Sequence, residues 1–241
     1  MYPPPASPTH PSYPPPPPLL RPVRGPAILA VVALVADSLV GVVAAVIDLW
    51  YANVVDRIIA DPTSVTDAEI DTADLVYALS GIVETIAYLA AIVAFLVWLF
   101  RVRANAEILA PHGHRRSRAW LILGWIVPIV SLWFPKQIVD DIWDASARSW
   151  SSRKGLLHAW WAAWLVGAWV SNVAARVLFS AEEADDLAAA ARFDVVSIAL
   201  MLVAAVFAIL VVLRISGEQE KRRTEMSPVL RPGAPAPTGW A

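Results

Sequence analysis

The chain has 241 residues, of which 58% are hydrophobic and 17% charged, against roughly 45–50% and 25% in soluble domains. The apolar residues gather in blocks of about twenty instead of alternating with polar ones, which excludes an ordinary soluble domain. A net charge of −2 offers no basic field for nucleic acid, and the lack of cysteine removes disulfides, thiolate metal sites and cysteine nucleophiles.

Residues 1–26 hold twelve prolines. Proline lacks a backbone donor and fixes φ, so an extended, polyproline II-like cytoplasmic tail is expected, either a disordered spacer or a docking segment for a proline-binding protein. The apolar run that follows is too long for a secretory signal, so it reads as a retained first span over 27–50. That run covers about 36 Å and ends at Trp50 and Tyr51, where an aromatic belt belongs.

The next stretch is acidic, with Asp56, Asp61, Asp67, Glu69, Asp71 and Asp74 against Arg57 alone. Thr66 and Glu69 have capping-box spacing, so a helix starts near Asp67 and enters the bilayer as a second span over 75–100. A basic loop follows, with Arg101, Arg103, Arg115, Arg116 and Arg118.

The segment Ala119–Pro135, "AWLILGWIVPIVSLWFP", is apolar but short. As a perfect helix its sixteen residues to Phe134 reach about 24 Å, less than a bilayer core of about 30 Å, and Pro128 interrupts the middle. Charge decides between crossing and re-entering. With four spans, sixteen basic residues lie on the cytoplasmic side and only Arg57, Arg176 and Arg192 outside; a fifth span abolishes that asymmetry. The expectation is a re-entrant or interfacial element over 119–150. Its second half is an amphipathic helix with Ile138, Val139, Ile142, Trp143, Ser146 and Trp150 on one face and Lys136, Gln137, Asp140, Asp141, Asp144 and Arg148 on the wet one.

A third span occupies 156–178. An acidic loop follows in which Ser180 and Glu183 repeat the capping-box spacing, and a last span covers 195–215. Residues 216–241 read as a disordered cytoplasmic tail. The fold class is therefore all-α: a polytopic bundle of four transmembrane helices in a membrane domain over 27–215, carrying a Trp/Pro-rich insert and an amphipathic helix. Both termini are expected to be cytoplasmic in a multi-pass plasma-membrane protein.

Residues 95–146 resemble the domain of unknown function 4328 family of actinobacterial membrane proteins. The matching stretches are "FLVWLFRVRANAEIL" and "GWIVPIVSLWFPKQIVDDIWDAS", with Arg101, Arg103 and Asn105, then Trp125, Pro128, Trp133 and Pro135, and finally Trp143 and Ser146. The resemblance implies a membrane location and no particular activity.

Four intramembrane polar residues stand out. Asp37 and Glu84 lie near mid-depth, where a charge is costly; they make either a proton or cation site or a pair of neutral acids hydrogen-bonded between helices. Asn172 and Arg176 lie on the third span, where Arg176 either pairs with a carboxylate or snorkels. Arg101, Arg103 and Asn105 either bind anionic lipid headgroups, helped by the later arginines, or serve as ordinary positive-inside anchors, with Asn105 capping the helix or tying it to the insert. His112 and His114 lack a partnering carboxylate or cysteine and read as a solvated loop. No nucleophile elbow, zincin, phosphate-loop or dinucleotide pattern is present. The expectation is a non-enzymatic scaffold or interaction module without cofactor or metal, with lipid, a partner for the proline-rich tail and a possible second copy as its associates. The alternative is a small transporter or channel component using Asp37 and Glu84.

Overall fold

A computed structural model of the chain describes residues 19–147, 154–180 and 183–226. Readings that fall on residues 1–18, on Arg148 and Trp150, and on residues 227–241 lie outside these. The fold is 87% helical, with no strands among the described residues. Six α-helices follow in chain order: α1 (Arg24–Ala60), α2 (Asp67–Leu109), α3 (Trp120–Ile126), α4 (Phe134–Ser146), α5 (Gly155–Phe179) and α6 (Ala184–Met226). Helices α1, α2, α5 and α6 are long and apolar enough to cross a membrane.

Local chemistry sets the helix ends. Pro26 fits the first turn of α1, where its missing N–H removes no helical bond. Asp61 is extended because Pro62 follows it, and α1 stops there. Thr66 accepts from the Glu69 amide at 3.3 Å, so the expected cap starts α2. Ala110 leaves the helix just before Pro111. The second expected cap does not form: the Ser180 hydroxyl donates back to the Arg176 carbonyl, and α6 starts at Ala184. The helices also outrun the expected spans. α2 and α6, with 43 residues each, reach about 65 Å, twice a bilayer core. Helix α6 continues through Gly217 to Met226, where the sequence suggested the start of an unstructured tail.

The four long helices form a curved row in the order α2, α1, α6, α5. One end of the row carries the acidic loop between α1 and α2; the other carries the basic loop. Near the basic end the outer members α2 and α5 meet through aromatic rings, with Phe95 and Trp160 at 6.3 Å. There α3 and α4 fill the concave side. Trp125 of α3 packs against Phe95, Trp161 and Trp164, and Trp161 donates to the Leu132 carbonyl at 3.1 Å.

The segment Ala119–Pro135 therefore does not cross. Helix α3 has seven residues, about 10 Å of rise. It ends in a tight turn at which the Val130 amide bonds the Pro128 carbonyl at 2.7 Å and Ile129 takes φ 67°. The chain reverses, and α4 returns against α3 where Gly124 leaves room for Phe134 and Ile138. Helix α4 is amphipathic as expected, but its apolar face meets α2, α5 and α6 instead of lipid: Ile138, Val139 and Ile142 join the main core.

Candidate functional site

The basic end holds a buried polar assembly. Gln219, on the extension of α6, is 0% exposed. Its Nε2 donates to the Val102 carbonyl at 3.0 Å and to Ser146 Oγ at 2.9 Å. Its Oε1 accepts from Asn105 Nδ2 at 3.1 Å. Asn105, also 0% exposed, divides its amide between Gln219 and the segment before α1. Its Oδ1 accepts the Arg21 backbone N–H at 2.9 Å, and its Nδ2 donates to the Arg21 carbonyl at 2.8 Å. One turn deeper, Trp98 Nε1 donates to Ser216 Oγ at 2.9 Å. The N-terminal segment, α2, α4 and α6 are thereby tied at one level. Asn105 neither caps α2 nor reaches the α3–α4 insert; it holds the point from which the proline-rich segment departs.

Around this assembly the basic residues are mostly consumed by the protein. Arg103 is buried, with Nε on Glu107 at 2.9 Å and Nη2 on the Arg116 carbonyl at 2.7 Å, which leaves it poorly placed for a lipid headgroup. Glu107 also pairs with Arg118 and holds that guanidinium above its ordinary pKa. Arg101 donates to the Pro22 carbonyl at 3.1 Å. Arg115 holds Asp141 through both its side chain and its backbone N–H, at 2.8 and 2.9 Å. Arg116 lies 3.6 Å over the Phe134 ring and donates to the Gln137 side chain.

The expected wet face of α4 is thereby corrected. Asp140 and Asp141 are buried, because the 111–118 loop folds over α4 and brings arginine to it; Asp144 stays exposed and pairs with Lys154. The loop and α4 line an open, shallow cleft of about 400 Å³ between His112, His114, Asp140 and Asp144. Asp140, Asp141 and Asp144 all carry salt bridges there, to Lys136, Arg115 and Lys154. His114 is not fully solvated: burial, then the charge of Arg103, hold its imidazole below the ordinary 6.5. Among the described residues no three or more His, Asp or Glu side chains gather to hold a metal.

The remaining motif residues divide by depth. Pro135, Trp143 and Ser146 are buried, and Ser146 Oγ donates to the Ile142 carbonyl at 2.7 Å. Trp125 is half-buried in the ring cluster, while Pro128 and Trp133 are exposed. Asn172 turns back to the Ala168 carbonyl at 2.9 Å, and both it and Arg176 are exposed on α5.

Asp37 and Glu84 lie on a polar stripe shared by α1, α2 and α6. A methyl built on Gly41 would meet Ile198 at 3.5 Å and Glu84 Oε1 at 3.9 Å, so Gly41 admits Glu84 to the junction of the three helices. Asp48, two turns along α1, is 3% exposed, and its Oδ2 has no hydrogen-bond partner. Asp194 on α6 accepts from Ser197 Oγ at 2.8 Å.

The sequence profile of a domain of unknown function (DUF4328) matches residues 61–217. The chain belongs to that family. The DUF4328 region takes in α2 through most of α6, including Asn105, the α3–α4 insert, Glu84 and Asp194; α1, with Asp37 and Asp48, precedes it, and Gln219 lies two residues beyond its end. No curated protein and no solved structure matches the chain.

Gln219, Asp48 and Asp194 are not among the site candidates that the sequence offers. Gln219 fell in a presumed tail. Asp48 lies two residues before the belt tryptophan Trp50. One signal did point to Asp48: Asp37, Gly41, Ala44, Asp48 and Tyr51 recur every three or four residues, a small-and-polar stripe along a helix otherwise made for lipid.

Proposed function

We propose that this DUF4328 protein is a non-enzymatic scaffold of the plasma membrane, with the basic end and both termini cytoplasmic. The observation that carries the reading is the Asn105 clamp, in which a fully buried amide on α2 grips the Arg21 backbone. A clamp of this kind fixes the exit of the proline-rich segment beside the long extension of α6. A proline-rich ligand is preformed and loses little entropy on docking, so a fixed base presents it at low cost. The charge asymmetry supports the orientation, because Arg101, Arg103, Arg115, Arg116, Arg118, Lys136 and Lys154 share one end with the α6 extension.

The test uses proximity labelling from the N-terminus of the full chain in cells. Deleting residues 1–18 should remove specific neighbours, and Asn105→Ala should reduce their capture. An unchanged set of neighbours in both variants sinks the recruitment reading. Orientation is tested separately with single cysteines at Ser151 and Ser227, which the cysteine-free chain makes clean; labelling of both from outside intact cells overturns it.

A further inference from the structure

We propose that the α1–α2–α6 seam is a proton-binding site, centred on Asp48 and reached from the acidic end of the bundle. A carboxylate at this depth has little water, so it needs a counter-charge, hydrogen bonds or a proton. Asp48 is 3% exposed, and its Oδ2 has no hydrogen-bond partner. The charged groups facing it are Asp194 from α6 and Glu84 from α2. Neither offers a counter-charge, and the nearby cations are engaged elsewhere: Arg57 pairs with Glu69, and Arg192 with Asp56. A proton meets the need, since it forms an O–H bond on the carboxylate and cancels the charge without any electron transfer.

The arrangement suits protons better than a metal ion. Asp37, the Gly41–Glu84 contact, Asp194 and Asp48 follow one another along the seam at about one helical turn each. They form a ladder of separate acids, and no three of them gather around one ion among the described residues. Tyr51 and Tyr77 cover the ladder toward the acidic end, stacked at 4.3 Å. The Tyr51 hydroxyl donates to Asp74 Oδ1 at 3.2 Å, and a cavity of about 160 Å³ opens beside both residues. Tyr51 is one turn along α1 from Asp48, so this cavity opens on the acidic side of the seam. Toward the basic end, Trp98, Leu99, Val102, Val211 and Ile215 pack the core, so the ladder is closed on that side.

The test is infrared spectroscopy of the full chain in lipid nanodiscs, following the protonated carboxyl stretch against pH. Asp48→Asn should remove a component that disappears as pH rises. Glu84→Gln removes a neighbouring negative charge and should move that component's midpoint to lower pH. A component present unchanged at every pH at which the helices persist, or absent at every pH, overturns the proposal. So does its loss on adding sodium or potassium at fixed pH, which assigns the seam to a metal cation. In sealed liposomes sorted by orientation through Thr63→Cys, pH at the acidic face alone should shift the component. A response only to pH at the opposite face overturns the route of access.

Discussion

Asn105 and Arg21 are 84 residues apart, yet the side-chain amide of one pairs with both backbone groups of the other, as two neighbouring strands would pair. Removing that amide leaves the Arg21 amide to water and the Gln219 Oε1 without its donor in a dry site. Leaving a buried polar group unpaired costs about 1–3 kcal/mol. Asn105→Ala should lower unfolding stability in detergent by about 2 kcal/mol and abolish protection of the Arg21 amide in hydrogen exchange. Asn105→Asp should not restore the lost stability, because the new oxygen faces the Arg21 carbonyl and the Gln219 Oε1. A protected Arg21 amide in Asn105→Ala contradicts the clamp.

Buried Arg103 and half-buried Glu107 make the second link at this end. Arg103 Nη1 already lacks a partner, so the site has no reserve. Glu107→Gln leaves a buried guanidinium without its anion and should cost about 3 kcal/mol by thermal or denaturant unfolding. Arg118 loses less, because it is exposed and water replaces the carboxylate. The double variant Arg103→Leu with Glu107→Gln should recover much of the loss, since no buried charge then remains. If the double variant is as unstable as the sum of its parts, the pair is not coupled.

The bundle was legible in the sequence and its ties were not, for a physical reason. Span number follows from runs of apolar residues, the α2 start from Thr66 and Glu69, and the reversal of the insert from its length, Pro128 and the arginine count. Each of these is local or additive along the chain. The Asn105–Arg21 and Gln219–Ser146 contacts join residues 84 and 73 positions apart and leave no period behind. The burial of Asp140 and Asp141 misled for a related reason. A helical wheel assigns one face to water, but here a loop from elsewhere supplies arginine to that face. Asp37 and Glu84 were recognised by depth alone, and the acid with the least water, Asp48, was hidden by its position next to a belt tryptophan.

His114 makes stability depend on pH, and the sign follows from its environment. Burial and Arg103 hold its folded-state pKa below 6.5, so between that lowered value and 6.5 the unfolded chain binds more protons than the folded one. Stability is then full above 6.5 and declines as pH falls through 6.5 toward the folded value. Thermal unfolding of wild type should fall over that interval, and His114→Asn should flatten this part of the profile. An unchanged slope in the variant assigns the pH dependence to other groups.

Gly167 sets how closely α5 approaches α6. A methyl there would sit 2.8 Å from Met201 Sδ, 3.2 Å from its Cγ and 3.4 Å from its backbone nitrogen. Alanine favours helix over glycine by about 1 kcal/mol, but here that gain meets an overlap with the thioether. Gly167→Ala should therefore destabilise by about 1 kcal/mol in the native background. In a Met201→Ala background the overlap vanishes and the same substitution should stabilise by about 1 kcal/mol. The reversal of sign between backgrounds is the measured quantity; the same sign in both rejects this account of the α5–α6 contact.

Ile129 is the non-glycine residue with positive φ among those described, at 67° with ψ −54°. Together with the bond from the Val130 amide to the Pro128 carbonyl at 2.7 Å, this is a γ-turn of the rarer, strained kind. For a β-branched residue the conformation costs of order 1–3 kcal/mol. The side chain returns little of that by packing, because it is 70% exposed. Glycine meets no Cβ overlap there but gives up entropy in the unfolded chain. The relief exceeds that loss, so Ile129→Gly should stabilise the protein in detergent by about 1 kcal/mol. Ile129→Ala should not stabilise it, because alanine keeps the Cβ that creates the strain. Equal effects of the two substitutions would place the cost in the isoleucine side chain instead of the backbone, and the turn that sends the insert back toward α4 would then be unstrained.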